Sequence, residues 1–540
     1  MQSSKSPSDA MRRFVQDHVQ LIEPLTRQAA IAHWQLQLSS TLENNRASSY
    51  ASARLRNVYA DADKWSVLQN IDGSNLEDPL LRRQHDLLSS MFRINQLNPG
   101  EIQEIEELRA SLSAQYNLHR AHIDGKEYSD NQLDTILANS DDGSLRQQAW
   151  EASKTVGAVA VESLLKLVRL RNKTAQKLGY KDYYDMSLDA QEIEPDELGS
   201  LLKQLEDGCR PLWHIFRARL DTQLGQQFGV DSSKLMPWHH SNRFFQTMRS
   251  EGIDLDHVYA KTDAVQTTRA VFNEIGLPVD DLIDRADLYE KPGKCQHAFC
   301  LNVDRKGDIR VLCNITPGER WLTTTLHEFG HAAYYKYIDP SLPYLLRRPS
   351  HTMTTEAVAL FMGRLPSTAN FMQQFSQCSP EECLANSQKA ARGQLTHQLV
   401  FMHWCLVMAH FEKALYANPE QDLNTLWWDM VEHYQLVKRP DGRNEPDWAA
   451  KIHLASSPAY YHNYLLGDMA ASQITRAATN HIGTAPGKID LSPALGAFLN
   501  QNVFKSGASH RWDEWIRVAT GRPLEAQSFV DDLYGVEAAL

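Results

Sequence analysis

The chain has 540 residues, of which 42% are hydrophobic and 23% are charged. These are ordinary globular values, so they exclude a largely disordered chain. The 55 basic and 67 acidic residues give a net charge of −12, so there is no basic excess to neutralise nucleic-acid phosphates. We therefore expect no nucleic-acid partner. We also expect no membrane partner, because no apolar run approaches the ~20 residues of a membrane span.

The cysteine pattern and the N-terminus bear on metal binding and location. The seven cysteines are scattered and contain no CxxC pair, which argues against a cysteine zinc site. The first residues lack the apolar segment that is typical of an export signal. Scattered thiols without such a signal are typical of a reducing compartment, so we predict a cytoplasmic location. Nothing in the sequence indicates an oligomeric state.

Amphipathic helices dominate the chain. Apolar residues three or four apart run from Ile102 to Tyr116, and a similar run spans 161–171 and stops near Gly179. Further helices are predicted at 194–222, 380–417 and 421–437. Pro, Gly and Asp break the helical pattern in three loops, at 223–242, 438–448 and 480–495. None of these loops is long enough to separate independent domains.

One segment has the pattern of a β-hairpin. Apolar residues alternate from Phe299 to Val303 and again from Ile309 to Ile315. Between the two runs lies the turn sequence Arg305-Lys306-Gly307. The predicted hairpin ends shortly before the strongest motif in the chain.

That motif is His-Glu-Phe-Gly-His at residues 327–331. On a helix His327 and His331 share one face, so both imidazoles can bind one Zn²⁺ ion. Glu328 is the natural general base, because it can take a proton from a zinc-activated water. A catalytic zinc site needs a third protein ligand. We assign it to Glu356, 25 residues on (356 − 331), on a second helix. His351 is another possible ligand, but we expect it to face substrate or to be structural.

Four pieces of the chain, in this order, resemble the angiotensin-converting-enzyme family, the zinc peptidyl-dipeptidases of the gluzincin type. The resemblance runs from about residue 160 to the end of the chain. The four pieces are Gln296-His297-Ala298-Phe299, the zinc motif through Tyr335, Glu356-Ala357, and Lys451-Ile-His453-Leu-Ala-Ser-Ser457 with Tyr461 and Tyr464.

The resemblance implies a role for each matching residue beyond the zinc ligands and the base. Tyr464 would stabilise the carbonyl oxygen as it gains negative charge. His453 and His297 would hold the substrate carbonyl beyond the scissile bond. Lys451 and Tyr461 would bind the C-terminal carboxylate.

The resemblance also gives Ala298 a role, and it leaves one assignment open, between two tyrosines. Ala298 would lie on a strand whose backbone pairs with an extended substrate. Tyr460 competes with Tyr461 for the carboxylate, because this segment contains one extra residue.

The resemblance also implies a fold and an activity. We expect a mainly α protein in which residues 1–540 form a single catalytic unit, with two helical lobes around a deep central cleft and the β-hairpin at the site. The expected activity is zinc-dependent hydrolysis of short peptides with release of C-terminal dipeptides. The thimet-oligopeptidase family, which has a similar HEFGH and cuts internally in short peptides, is the first alternative. A zinc-binding module that has lost catalysis is the second.

Four positions depart from the family pattern. The glutamine that binds the carboxylate lies two residues after a tryptophan in the family, and that register from Trp238 gives His240, which we take as its counterpart. Leu360 replaces an aspartate that orients a ligand histidine. Asn463 and Val431 replace arginines associated with chloride activation, so we expect little dependence of activity on chloride.

Overall fold

The computed structural model describes residues 6–248, 254–485 and 488–538. This part of the chain is mainly α, as predicted. None of its helices combines the length and the apolar character that a membrane span requires. The α-helices, in chain order, are α1 Pro7–Leu38, α2 Leu42–Tyr59, α3 Ala62–Gln69, α4 Pro79–Ile94, α5 Pro99–Leu118, α6 Asp130–Asn139, α7 Gly143–Lys177, α8 Tyr183–Ala190, α9 Pro195–Phe228, α10 Asp256–Tyr259, α11 Ala264–Glu274, α12 Asp280–Ile283, α13 Glu319–Tyr337, α14 Thr352–Gly363, α15 Ala369–Phe375, α16 Pro380–Ala417, α17 Leu423–Met430, α18 His453–Ser456, α19 His462–Ile482, α20 Pro493–Phe498, α21 Trp512–Thr520 and α22 Gln527–Ala538.

The described strands form two small antiparallel sheets. The first pairs β1, Ala121–Ile123, with β2, Lys126–Tyr128. The second pairs β3, Phe299–Asn302, with β4, Ile309–Leu312, in a register that sets Phe299 opposite Leu312. This second sheet confirms the predicted hairpin. Its connection is longer than the three-residue turn expected, because the backbone N–H of Val303 bonds the carbonyl of Asp308 and closes a larger loop.

The chain divides into two compact units, each assembled from separate segments. Unit 1 comprises Met1–Gln96, Asp254–Ala390 and Leu466–Phe529. Unit 2 comprises Leu97–Ile253, Ala391–Leu465 and Val530–Leu540. The predicted single catalytic unit and its cleft stay predictions.

In unit 1 the first four helices share an apolar core. Their buried side chains pack with two residues from the segment that precedes α14. The core includes Met11, Ile22, Leu25, Val58, Tyr59, Leu68, Leu81, Leu88, Phe92, Tyr344 and Leu345. Elsewhere in the unit, α13 packs closely along α14 and against both strands of the β3–β4 hairpin.

In unit 2 the long helix α7 is the common packing partner. It contacts α5, α6 and two 3₁₀ turns, at Pro237–His239 and Asp447–Ala450. Gly157 permits the second of these contacts, because a Cβ at this position would lie 2.5 Å from the carbonyl oxygen of Pro446. Absence of that side chain lets the segment leading into Lys451 lie directly on α7.

The helix predictions differ from the structure mainly at their ends. The predicted 380–417 helix agrees with α16, and the predicted 161–171 segment lies inside α7, which begins much earlier. α9 continues into the predicted 223–242 loop, because only one glycine interrupts an otherwise helix-compatible sequence up to Phe228. The 421–437 prediction becomes α17 followed by one π-helical turn, Val431–Gln435. Residues 486–487 of the predicted 480–495 loop lie outside the described residues.

Candidate active site

Three of the predicted metal ligands come together in unit 1. α13 presents His327 and His331, and α14 presents Glu356. The Nε2 atom of each histidine lies 3.8 Å from a carboxylate oxygen of Glu356, and one ligand atom from each residue falls within 4.8 Å of the other two. Two imidazoles and one carboxylate form the donor set of a catalytic zinc site. These residues therefore fit a zinc ion.

Small residues allow the two ligand-bearing helices to approach each other. A Cβ added to Gly330 would lie 3.1 Å from the Cα of Ala359 on α14. Real side chains rarely tolerate such a distance to backbone, so the glycine of the motif sets the helix separation. Gly467 of α19 also lies beside Glu356, but a Cβ there would make only an ordinary contact with the Cβ of Glu356, at 3.5 Å. The close packing fixes where Glu356 meets the histidines.

One neighbouring side chain orients a ligand, and another caps the helix that carries Glu356. The Nδ1 atom of His331 bonds the hydroxyl of Thr355 at 2.7 Å, which leaves Nε2 directed toward Glu356. Such a partner fixes the tautomer and the ring orientation of a metal-binding histidine. His351 begins α14 as its N-cap, accepting the backbone N–H of Met353 at 3.0 Å. The structure therefore gives His351 a structural role.

Burial keeps both histidines in the form that binds metal. It lowers the pKa of His327 to about 4 and that of His331 to about 3, with His327 contributing to the second shift. Burial also raises the pKa of Glu356 to about 7, and the negative charge of Asp468 adds to this rise. Neutral imidazole is the ligand species, so each histidine can offer one unprotonated nitrogen to a metal ion at neutral pH.

Glu328 lies buried beside the metal ligands. Burial raises the pKa of its carboxyl to about 8, and the nearby charge of Glu356 contributes. A cation held by the three ligands opposes this shift, because positive charge favours the carboxylate. A carboxyl whose pKa is brought near neutrality suits a group that accepts and then returns a proton.

The β3–β4 hairpin lies beside Glu328. The Glu328 charge contributes to the raised pKa of Cys300, on β3, after the larger effect of burial. The predicted substrate residues His297 and Ala298 directly precede this strand, with His297 exposed and Ala298 half-buried. Ala298 was expected on the strand itself, but the pairing with β4 begins one residue later, at Phe299. Within the described residues β3 pairs with β4 alone, so its other edge has no strand partner. An extended peptide can bond an edge of this kind.

Four other predicted site residues lie in unit 2, on one short stretch of chain. Lys451 precedes α18, His453 begins it, and Tyr461 and Tyr464 follow. The rings of His453 and Tyr461 have centroids 5.4 Å apart, and those of Tyr461 and Tyr464 are 5.6 Å apart. Tyr464 remains accessible, with 38% of its surface exposed. The structure thus groups these residues within their unit.

Lys451 is a buried cation with few polar contacts. Its Nζ donates to the side-chain oxygen of Gln246 at 2.6 Å and lies about 5 Å from the ring centroids of Phe244 and Trp404. Burial lowers the pKa of Lys451 to about 8, and the charge of Arg243 lowers it further. An anionic ligand would compensate this charge. Lys451 and Gln246 therefore form a suitable binding site for a carboxylate.

The structure bears on the choice between Tyr460 and Tyr461. The Tyr461 ring packs edge-on against Trp404, with centroids 6.0 Å apart, and Trp404 is also one wall around Lys451. The Tyr460 ring packs on Tyr464. This arrangement favours Tyr461 as the neighbour of the lysine.

His240 lies in a different environment from the one expected of a carboxylate ligand. It is buried and stacks on Phe245, with ring centroids 4.2 Å apart, and burial lowers its pKa well below the usual value. The Lys451 partner is Gln246, two residues after Phe244. The sequence signal for Gln246 was therefore an aromatic residue two positions before a glutamine. That aromatic residue is a phenylalanine here, whereas the family pattern has a tryptophan.

Asn463 and Val431, where the family pattern has arginines, lie in different surroundings. The Asn463 side-chain amide donates to Gln191 at 2.7 Å, so an amide pair stands where the family pattern has an arginine. Val431 lines a cavity of about 20 Å³ with Trp428 and Lys154.

Comparisons with known proteins place these sites in a family context. A model of peptidase family M3 matches residues 136–534, and a model of angiotensin-converting enzyme matches residues 5–240. Angiotensin-converting enzymes of Mesocricetus auratus and Rattus norvegicus are 23% and 21% identical over 95% and 96% of this chain. The inactive angiotensin-converting enzyme-related protein of Caenorhabditis elegans is 20% identical over 74% of it.

The chain spans 41%, 42% and 48% of the lengths of these three relatives, respectively. The M3 match alone covers most of the chain and includes the zinc motif, Glu356 and the segment from Lys451 to Tyr464. The chain therefore belongs to peptidase family M3, and its predicted membership of the angiotensin-converting-enzyme-like gluzincin metallopeptidases is confirmed.

Proposed function

We propose that this chain is a zinc-dependent peptidase that releases dipeptides from the C-termini of short peptides. The observation that carries the metallopeptidase part is the convergence of His327, His331 and Glu356, with Glu328 buried beside them. The exopeptidase part is supported by the Lys451–Gln246 pair, which offers a buried positive charge and an amide to a carboxylate.

In this proposal zinc, when bound, lowers the pKa of a water molecule and polarises the scissile carbonyl. Glu328 accepts a proton from the attacking water on its carboxylate and passes it to the leaving amine. Tyr464 donates a hydrogen bond from its phenol to the carbonyl oxygen as negative charge develops. His297 and His453 donate to the next substrate carbonyl, and the backbone beside Ala298 pairs with the extended peptide.

The carboxylate sets the cleavage position. Lys451, Gln246 and Tyr461 bind the substrate C-terminus through charge-assisted hydrogen bonds, which contribute about 1.5–3 kcal/mol. Loss of the charge should therefore lower kcat/KM about 10- to 150-fold. In this proposal the last carboxylate binds at this site and the bond before the final two residues is the one cleaved.

The test compares the same peptide with a free and an amidated C-terminus. Wild-type protein should cleave the free form much faster, with a dipeptide as the product by mass spectrometry. Lys451→Met keeps the apolar stem between Phe244 and Trp404 but removes the charge, so it should abolish most of the preference. Equal cleavage of both peptides by wild type would refute the exopeptidase proposal.

Internal cleavage of short peptides is the second candidate. The HEFGH motif and the 25-residue interval to Glu356 resemble the thimet-oligopeptidase family as well, and the angiotensin-converting-enzyme model ends at residue 240, before the metal motif. Product analysis distinguishes the two, because an endopeptidase releases fragments longer than dipeptides. The inactive alternative has a named relative in Caenorhabditis elegans, but Glu328 and Tyr464 are both present here.

The proposed location is cytoplasmic. All seven cysteines are free thiols. Free thiols persist in a reducing compartment, whereas disulfides are favoured outside it. Cell fractionation with an antibody against the chain tests this, and recovery in the extracellular medium would contradict it.

A further inference from the structure

The Gln246 side chain stands on a loop without regular structure. Residues 242–246 form neither helix nor strand, and Phe245 has a positive φ of 48°. Backbone groups in such a segment find no partners in a helix or sheet and need others. Asn242 accepts the N–H groups of Phe244, Phe245 and Gln246, whereas carbonyl groups of the loop bond side chains from other segments. The partners of this loop therefore decide where Gln246 points.

Two long side chains bind the carbonyl groups of this loop in unit 2. Lys154 of α7 donates from Nζ to the carbonyl oxygen of Arg243 at 2.9 Å. Gln435 donates from Nε2 to the carbonyl oxygens of Phe244 and Phe245, at 3.1 and 2.9 Å. Three consecutive carbonyls, directly before Gln246, are thus held by two residues.

Lys154 also contacts the ring that adjoins Lys451. Its Nζ lies 3.4 Å from the centroid of Phe244, and the Nζ of Lys451 lies 5.2 Å from the same centroid. Lys154 is only 5% exposed, so this contact is made away from water. A cation over an aromatic face at this range fixes the position of the ring. Lys154 therefore contacts the loop at a backbone group, the Arg243 carbonyl, and at a side chain, the Phe244 ring.

Lys154 is a buried lysine on a helix that packs against several other elements of unit 2. Burying an ammonium group carries a large desolvation cost unless hydrogen bonds compensate it. The Arg243 carbonyl and the Phe244 ring, both in the loop that carries Gln246, are two of the compensating contacts. The Trp150 ring and the charge of Asp447 add to them. Trp150, one turn earlier on α7, donates to the same Arg243 carbonyl at 3.1 Å. The loop therefore keeps one anchor when Lys154 is changed.

We propose that Lys154 and Gln435 are positioning residues for substrate selection: they hold the 242–246 loop so that Gln246 and Lys451 together bind a C-terminal carboxylate. This inference rests on the proposed function, because it assigns a role within the same carboxylate site. Neither residue touches substrate. Their effect reaches it through Gln246, whose oxygen accepts from Lys451.

Lys154→Met in the full-length, zinc-loaded protein tests the inference. The variant keeps the apolar stem and removes the ammonium group. KM for a peptide with a free C-terminus should rise about three- to tenfold, the range for one lost hydrogen bond, while kcat changes less than twofold. The preference for the free over the amidated peptide should fall by the same factor. Inhibition by the dipeptide Ala-Ala should weaken in parallel, which measures binding without turnover.

Lys166→Met is the matched control. Lys166 lies on the same helix but is exposed and pairs with Glu104, so the same substitution there should change neither KM nor the preference. Gln435→Met is the second variant, because it removes the other two anchoring hydrogen bonds and should weaken carboxylate selection in the same direction. It keeps the inference testable if Lys154→Met does not fold.

The outcomes separate this inference from the function beneath it. If wild type shows no preference for the free C-terminus, the proposed function fails and the inference fails with it. If wild type shows the preference and a folded Lys154→Met or Gln435→Met retains it in full, the inference alone is overturned. A loss of kcat for both peptides without a change in preference would show a general structural role and would also overturn it.

Discussion

Thr355→Val should weaken zinc binding although Thr355 is not itself a ligand. Its hydroxyl bonds Nδ1 of His331 at 2.7 Å, and Nε2 of the same ring faces Glu356. Nδ1 therefore carries the proton and donates it to Thr355. Valine has nearly the same shape but no oxygen, so the substitution leaves the Nδ1–H group facing a methyl.

The magnitude follows from the burial of this pair. The His331 side chain is only 12% exposed, so water has little access to replace the lost acceptor. Partners of this kind contribute about 10- to 100-fold in metal affinity. That range corresponds to about 1.4–2.8 kcal/mol of zinc binding free energy.

Zinc affinity is measured by competition with a fluorescent chelator at fixed pH. Thr355→Ser keeps the hydroxyl and should retain most of the affinity. Thr324→Val is the matched control, because Thr324 is half-buried on α13 and its hydroxyl donates to the carbonyl of Arg320 in the same helix, away from the ligands. Zinc affinity of Thr355→Val within twofold of wild type would refute the argument that this hydrogen bond orients the ligand.

Three further predictions concern the same sites. Glu328→Gln should retain zinc, measured by metal analysis, and lose about 10²- to 10⁴-fold in kcat, because an amide cannot accept the proton of the water; activity within tenfold of wild type would exclude Glu328 as the base. Gly330→Ala should lower zinc affinity and should not stabilise the fold in chemical denaturation. Overpacking against Ala359 costs about 1–3 kcal/mol, whereas helix propensity returns about 1 kcal/mol; a more stable variant would contradict the close-contact argument. Replacing acetate by chloride at constant ionic strength should leave turnover nearly unchanged, since the Asn463 amide already bonds Gln191; a chloride-specific tenfold increase would contradict this and would implicate Lys154, which lines the cavity beside Val431.

The parts of the fold that the sequence predicted are those with strong local signals. The α16 and hairpin predictions agree with the structure because helical and alternating periodicities are properties of short segments. The signal for the metal ligands His327 and His331 was also local, because they lie four residues apart on one helix. Glu356 was predicted from the resemblance and an interval, and the structure places it with them.

The start of α7 escaped prediction for a physical reason. The prediction covered 161–171, but the helix begins at Gly143. Its first half buries small and polar side chains, including Arg146, Ser153 and Lys154, instead of a stripe of large apolar residues. Hydrophobic periodicity cannot detect a face of this composition. The lack of a large apolar stripe also concealed Lys154, whose ammonium group is covered by the Phe244 ring of the 242–246 loop and by the Trp150 ring.

Long-range partners explain the other difference. Lys451 and Gln246 are 205 positions apart, so no local pattern connects them. The register from Trp238 pointed to His240 because it required a tryptophan, whereas the structure has Phe244 in the corresponding place before the glutamine. A contact between distant segments depends on the packing of both onto α7, which the sequence pattern does not specify.

Leu360 is a departure from the family pattern whose meaning for catalysis depends on the neighbouring residues. The family pattern has an aspartate there, one turn after the glutamate ligand. In the sequence alone, the absence of this aspartate favoured a site that has lost catalysis. In the structure Leu360 packs toward Gly467, and the orienting hydrogen bond on His331 comes from Thr355, directly before Glu356. A hydroxyl on the same helix thus provides an acceptor for the ligand histidine from a different position. Leu360 therefore gives no independent support to the inactive alternative, which depends instead on whether the wild-type protein binds zinc and cleaves a peptide.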